Sequence, residues 1–269
     1  MTIAALATEP TSQADAADWR ARVARAFSRA APHYVNLASA QQMMSERLLA
    51  HLPDTAERLL DLGCGPGELT ALLACHYGDK CRVEGLDLAP GMLDEARRRH
   101  PQPIRWICGD AGMLPHIDAS LDLVISNLAI QWCPDLDRVL GEIHRALKPG
   151  GRALLNTLAP GTLHEVSQAW SQPGRPAALL DFRDAARHQT AARRAGFRHV
   201  ALEEREERFH YPDLTAVMAS IKGVGAQVAR PGKRLTRTDL ARARRHYETL
   251  REPAGLPVTY HLLTLILER

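Results

Sequence analysis

The sequence predicts an α/β fold built on a mainly parallel sheet with crossover helices. Three observations carry that prediction. Short apolar runs suited to strands alternate with amphipathic stretches of helical period between residues 59 and 156. The first run ends in a glycine-rich turn, Asp61-Leu62-Gly63-Cys64-Gly65-Pro66-Gly67. The next two runs also end in acids, at Asp87 and Asp110. In open sheets of this kind ligands bind beyond the carboxyl ends of the strands, near the point where strand order reverses. Polar groups at several strand ends therefore mark one binding edge.

Taken in order, residues 1–18 are rich in Ala and Thr and carry acids rather than a basic leader. They are expected to be a disordered tail, neither signal peptide nor membrane anchor, ahead of one domain over residues 19–269. From Trp19 a helix places Val23 and Phe27 on one face and Arg20, Arg22, Arg25 and Arg29 on the rest, with Pro32 expected to end it. A second amphipathic helix runs through Met44, Leu48, Leu49 and Leu52. Residues 19–53 either cover the mouth of the site or pack on the sheet edge.

The glycine turn follows the strand at residues 59–62, and Leu69, Leu72 and Leu73 then show helical spacing. Strands are expected at residues 81–88, 104–110 and 121–128, with Pro90 at the start of the helix after the second. Leu136, Val139, Leu140, Ile143 and Leu147 form a helix stopped by Lys148-Pro149-Gly150-Gly151, and a fifth strand covers residues 152–156. Beyond Pro160 the alternation weakens. A Pro/Gly stretch at residues 171–176 precedes a helix over 181–195, and the charged run 200–211 suits a solvated edge strand. Residues 212–255 read as a helical insertion or lid, with a helix over 238–250. The closing run 258–267 is apolar on both faces, as a strand inside the sheet requires.

Composition bounds the function. The chain has 269 residues, 45% of them hydrophobic, enough for a substantial core. Five cysteines, odd in number and without a Cys-x-x-Cys pair, point to a reduced, cytoplasmic protein, and neither they nor His76 fall at zinc-ligand spacing. A net charge of +3 is too mild to argue for nucleic acid. No apolar run is long enough to span a bilayer.

The turn itself lacks the third glycine of a dinucleotide fingerprint, since Glu68 stands there, and lacks the lysine of a phosphate loop. Asp-x-Gly-x-Gly-x-Gly instead resembles motif I of the class I S-adenosylmethionine (SAM) methyltransferases, although such a turn can also merely reverse the chain. That resemblance implies a Rossmann-like seven-stranded sheet with an antiparallel last strand. It implies cofactor contacts from Asp61, Gly63, Cys64, Gly65 and Gly67 on the turn. Asp87 stands about 20 residues on, where such folds place the carboxylate that accepts both ribose hydroxyls. Leu88 and Met92 follow it, and Met92 either lies over an adenine face or is plain core. Asp110 is placed to accept from the adenine amine, with Ala111 beside it, and Asn127 ends the fourth strand. No metal is expected.

Four further stretches narrow the acceptor. Arg25-Ala26-Phe27-Ser28-Arg29-Ala30-Ala31-Pro32-His33-Tyr34, Ser126-Asn127-Leu128-Ala129-Ile130-Gln131-Trp132-Cys133, Ser220-Ile221-Lys222-Gly223-Val224-Gly225-Ala226 and Thr259-Tyr260-His261-Leu262 together resemble the BioC-type malonyl-acyl carrier protein O-methyltransferases of biotin synthesis. The resemblance implies methyl transfer from SAM to the free carboxylate of a malonyl thioester, on the carrier protein or on coenzyme A. A carboxylate with an ordinary pKa near ~4 is already ionised at neutral pH. No general base is then expected, and the lack of a Ser/His/Asp constellation does not argue against an enzyme.

Tyr34 is the candidate for orienting the acyl carboxylate through one neutral hydrogen bond. Gln131, Trp132 and Phe182 are candidates for the acyl pocket, with ordinary packing as the alternative for each. Arg230, Lys233, Arg234, Arg237, Arg242, Arg244 and Arg245 either dock the acidic carrier or form a solvated face. The enzyme is expected to be a monomer without nucleic-acid or membrane partners. Rival readings are a methyltransferase for another small carboxylate or a quinone-like ring, and a SAM-binding scaffold without turnover. A nucleic-acid methyltransferase would carry an Asn/Asp-Pro-Pro-Tyr type site where Asn127-Leu128-Ala129-Ile130 stands.

Overall fold

The computed structural model describes residues 13–171, 177, 179–222 and 236–269. Seven strands form one sheet in the order β3-β2-β1-β4-β5-β7-β6: β1 (Arg58–Leu62), β2 (Arg82–Asp87), β3 (Arg105–Cys108), β4 (Leu121–Asn127), β5 (Leu147–Leu158), β6 (His199–Tyr211) and β7 (Leu256–Glu268). The first five pair in parallel, and β7 runs antiparallel between β5 and β6. Strand order reverses between β1 and β4, so the carboxyl ends of these two strands flank the crevice where such folds bind ligands. The expected sheet, with its antiparallel last strand and charged edge strand β6, matches this arrangement.

Period-two alternation builds both faces. Leu60, Leu62 and Val124 point into one core layer, under α5 (Leu136–Ala146) and α7 (Ala185–Ala195). Leu59, Leu123 and Ile125 point into the other, against Leu48 of α2 (Ser39–Leu49) and Leu73 of α3 (Glu68–Tyr77). Asp135 and Asp184 cap α5 and α7 by accepting the N–H of Arg138 and Arg187. The helix expected from residue 181 therefore starts four residues later, at the first position that Asp184 can cap, and Phe182 lies ahead of it.

Two corrections concern α1 (Gln13–Leu37). It begins inside the expected tail, where Gln13-Ala14-Asp15-Ala16-Ala17 are compatible with a helix and Asp15 sits in the first turn. It also runs through Pro32 rather than ending there. The proline removes one N–H and frees the Ser28 carbonyl. Packing holds the helix nonetheless: Phe27, Ala31 and Tyr34 lie on Ala89 and Met92, the N-cap and first turn of α4 (Pro90–Arg99), and Gly91 N–H donates to Ser28 Oγ at 3.2 Å. Local propensity is a weak prior against such burial.

At the far end α6 (His164–Trp170), which the weakened alternation beyond Pro160 did not signal, packs with α8 (Leu214–Lys222) and α9 (Arg237–Glu248) on one end of β7. Tyr247 is fully buried and donates its hydroxyl to the Pro257 carbonyl at 2.8 Å. The helices of the expected lid are thus fastened into the core. A Thr236/Asp239 capping box starts α9. Arg230, Lys233 and Arg234 lie outside the described residues.

Candidate active site

Two cavities meet at the glycine turn. One, about 100 Å³, lies between α1 and the ends of β1, β2 and β4. Its walls include Val23, Phe27 and Tyr34 of α1, Leu62, Asp87, Leu88, Met92, Asp110, Ala111, and the segment Asn127, Leu128, Ala129, Ile130 followed by Trp132 and Cys133. The other, about 340 Å³, lies between the turn and α2, walled by Gln41, Gln42, Ser45, Asp61, Cys64 and Leu69. Tyr34, Gly63, Gly65 and Asn127 border both.

Two of the turn glycines do different things. Gly65 has φ +53°, and a Cβ there would meet nothing within 4 Å, so the backbone lies bare beside the cavity. Gly67 has φ +86°, but a Cβ on it would sit 2.5 Å from Trp106 Cη2. Its missing side chain makes room for a tryptophan, and Gly67 is absent from both cavity walls.

The acids are held firmly. Asp61 is 1% exposed and accepts the Thr70 hydroxyl at 2.6 Å. Burial, outweighing that bond and reinforced by the nearby Asp87 charge, pushes its carboxyl up to about 7. Asp87 accepts the Gly65 N–H at 2.9 Å and the Ala89 N–H at 2.8 Å, one on each oxygen. Burial raises its carboxyl as well, against the lowering effect of those N–H groups. With about four lone-pair sites on the carboxylate, these N–H groups and that of Leu88 still leave room for a ligand hydroxyl. Asp110 accepts the Gly112 N–H at 2.9 Å and lies 3.4 Å from Arg20 Nε, so a base amine would share this carboxylate with an arginine that its sequence position did not announce.

The other candidates divide. Tyr34, in the last turn of α1, reaches both cavities; burial and then the Asp87 charge raise its phenol far above the ordinary value, which fixes it as a neutral donor. Cys133 is pushed up to about 12 by burial and Cys64 well above its ordinary value, so neither supplies a thiolate nucleophile. Trp132 and Phe27, edge to face at 5.3 Å, stand in the wall, and Trp19 backs Trp132 from outside it, stacked at 6.5 Å with its Nε1 donating to the Trp132 carbonyl at 2.8 Å. Met92 is 1% exposed and serves both as α1–α4 core and as cavity wall.

Gln131 and Phe182 do not belong to either wall. Gln131 turns back to donate to the Leu128 carbonyl at 2.7 Å, and Phe182 packs against the α6–α8–α9 core. Arg242 pairs with Asp239 at 3.6 Å, while Arg244 and Arg245 are exposed on α9. Sequence reasoning missed Gln41, Gln42 and Ser45. They form a polar set on the first turns of α2 that borders the stripe of Met44 and Leu48, with Gln41 at i, i+3 and i+7 spacing to those two, and no local pattern sets them apart. Among the described residues no group of His, Cys, Asp and Glu has metal-site geometry.

Residues 60–155 match the family model described as Methyltransferase domain. The chain is 39% identical over 250 residues to the malonyl-[acyl-carrier protein] O-methyltransferase of Dechloromonas aromatica, covering 91% of this chain and 93% of that protein. It is 38% identical over 244 residues to the enzyme of the same name from Serratia marcescens, covering 89% and 92%. The biotin biosynthesis bifunctional protein BioHC of Cellvibrio japonicus is 38% identical over 251 residues, and there this chain covers 91% of its own length but 49% of the relative's, about half of that longer protein. Among solved structures, phosphoethanolamine N-methyltransferase 2 of Haemonchus contortus superposes with a TM-score of 0.53 at 20% identity, covering 86% of this chain and 52% of that one. Geranyl diphosphate C-methyltransferase of Streptomyces coelicolor gives 0.52 at 18% identity, covering 85% and 76%. These two likenesses establish the fold, and the full-length likenesses above establish more: the chain belongs to the malonyl-[acyl-carrier protein] O-methyltransferase family.

Proposed function

We propose that the protein transfers a methyl group from SAM to the free carboxylate of a malonyl group carried on acyl carrier protein, giving a malonyl methyl ester for biotin synthesis. The full-length likeness to proteins named for that reaction supports this most directly. The residues present fit the donor. Bare backbone at Gly65, an acid at the end of β2 with lone pairs to spare, and the buried Asp61 suit a nucleoside linked to a cationic amino acid. When bound, SAM supplies an electrophilic methyl group on a sulfonium.

The chain's own residues then orient and desolvate. Asp87 takes the ribose, and Asp110 with Ala111, Leu88 and Met92 forms the slot for the base. Asp61 and Asn127 flank the turn on the amino-acid side. Tyr34, neutral and shared by both cavities, donates one hydrogen bond to the malonyl carboxylate, enough to aim it without quenching its charge. Phe27, Leu128 and Trp132 exclude water from that nucleophile. The acceptor is ionised before it arrives, so no side chain need remove a proton.

The carrier docks through basic residues of the insertion, with Arg242, Arg244 and Arg245 on α9 the described candidates. We place the enzyme in the cytoplasm as a monomer; no described helix is long and apolar enough to cross a membrane. Parallel reactions with malonyl-carrier protein and malonyl-coenzyme A, read by mass spectrometry, test the acceptor. Ester formation at higher kcat/KM on the carrier is expected, and equal or faster reaction of the coenzyme A thioester would overturn the carrier assignment.

A further inference from the structure

We infer that the side-chain amide oxygen of Gln41 accepts a hydrogen bond from the α-ammonium group of the methyl donor, sharing that cation with Asp61. The inference rests on the donor being an S-adenosyl compound, as proposed above. Gln41 Oε1 is buried and has no hydrogen-bond partner among the described residues, although it stands in the wall of the larger cavity. A buried acceptor left without a donor is unfavourable, and native proteins rarely keep one unless a ligand or water completes it.

The same wall holds a second acceptor short of donors. Asp61 has the Thr70 hydroxyl on Oδ2, while its carboxylate offers about four lone-pair sites. Two acceptors facing one cavity, one of them an acid, call for a ligand group that donates several hydrogen bonds and carries positive charge. An α-ammonium does both.

Gln41 is also held in place for the task. Its main-chain carbonyl accepts from Asn127 Nδ2 at 3.0 Å, and Asn156 Nδ2 donates to Asn127 Oδ1 at 3.0 Å and to the Met44 carbonyl at 2.8 Å. Thr264 Oγ1 donates to Asn156 Oδ1 at 2.7 Å. This chain of bonds runs from β7 through β5 and β4 into the first turn of α2, and it fixes the helix on the strand ends. Gln41 is therefore a binding residue on a rigid support, and it selects for the amino-acid portion of the donor rather than for its nucleoside.

Calorimetric titration of S-adenosylhomocysteine and of 5′-methylthioadenosine, which lacks the amino-acid portion, tests this in the absence of turnover. Gln41→Leu should weaken S-adenosylhomocysteine binding about ten- to a hundredfold while leaving 5′-methylthioadenosine within about threefold of wild type. Gln41→Glu keeps an acceptor and should stay within about threefold for both ligands. Gln41→Met, unbranched and of similar length, carries the same expectation as the leucine variant should that one disturb α2. Unchanged S-adenosylhomocysteine affinity in the leucine or methionine variant, equal loss for both ligands, or a glutamate variant as weak as the leucine one would each overturn the assignment. A wild-type protein that fails to bind S-adenosylhomocysteine would instead refute the donor assignment itself.

Discussion

Replacing Asp61 with asparagine should make the free protein more stable at neutral pH while damaging its ligand site. Asp61 is 1% exposed, and burial lifts its carboxyl from the ordinary 3.8 to about 7. The folded state thus holds a proton that the unfolded chain releases earlier. Stability from this group is fully present below about pH 4 and is lost as pH rises toward about 7, after which the loss is constant. At ~1.4 kcal/mol per pH unit the full difference is about 4 kcal/mol, of which about 3 develops between pH 5 and pH 8. Asparagine cannot ionise and still accepts the Thr70 hydroxyl. Urea denaturation of both proteins at pH 5, 6, 7 and 8 should show the variant gaining on the wild type by about 3 kcal/mol across that range, with most of the gain removed by saturating S-adenosylhomocysteine. A difference that stays flat with pH would refute the claim that burial, without a resident counter-charge, sets the state of Asp61.

Tyr34→Phe removes the neutral donor from the junction of the cavities and should lower kcat about tenfold or more with little change in S-adenosylhomocysteine affinity; unchanged turnover would take Tyr34 out of the mechanism. Gly67→Ala forces a side chain to φ +86° and to 2.5 Å from Trp106, so unfolding free energy should fall by about 2–4 kcal/mol in a denaturant titration. Charge reversal at Arg242 and Arg245 should raise KM for malonyl-carrier protein severalfold at low salt, with the effect fading at high salt, and should leave malonyl-coenzyme A kinetics alone; identical shifts for both acceptors would argue against a docking role.

The sheet was legible because its signal is local and repeated. Leu59 to Leu62, Leu121 to Asn127 and the doubly apolar β7 each carry a pattern that only a strand in a given layer satisfies. The acids at Asp61, Asp87 and Asp110 were legible for the same reason, since strand ends are where a sheet presents its ligand edge. What escaped was decided by contacts distant in sequence. Pro32 reads as a helix end until Ala89 and Met92 are seen clamping the helix around it. Gly67 reads as a ligand contact until Trp106, about 40 residues on, is seen filling its place. Gln131 sits between cavity residues in the chain, but a turn sends its side chain to its own backbone, while Phe182, just ahead of α7, packs into the neighbouring core rather than the site. Arg20 reads as one helix-face arginine among four, and Gln41 lies unremarked in a polar stretch, because nothing local says which polar residue of a helix faces a cavity.

The central claim is that the distal carboxylate of a malonyl thioester is the methyl acceptor. The most direct test traces the methyl group: SAM with a deuterated methyl, the enzyme and malonyl-carrier protein, followed by tandem mass spectrometry of the acyl chain. All the label should appear as a methyl ester on the malonyl carboxylate, removable by mild alkali as labelled methanol. Label on the central carbon of the malonyl group, on the carrier polypeptide, or nowhere would contradict it.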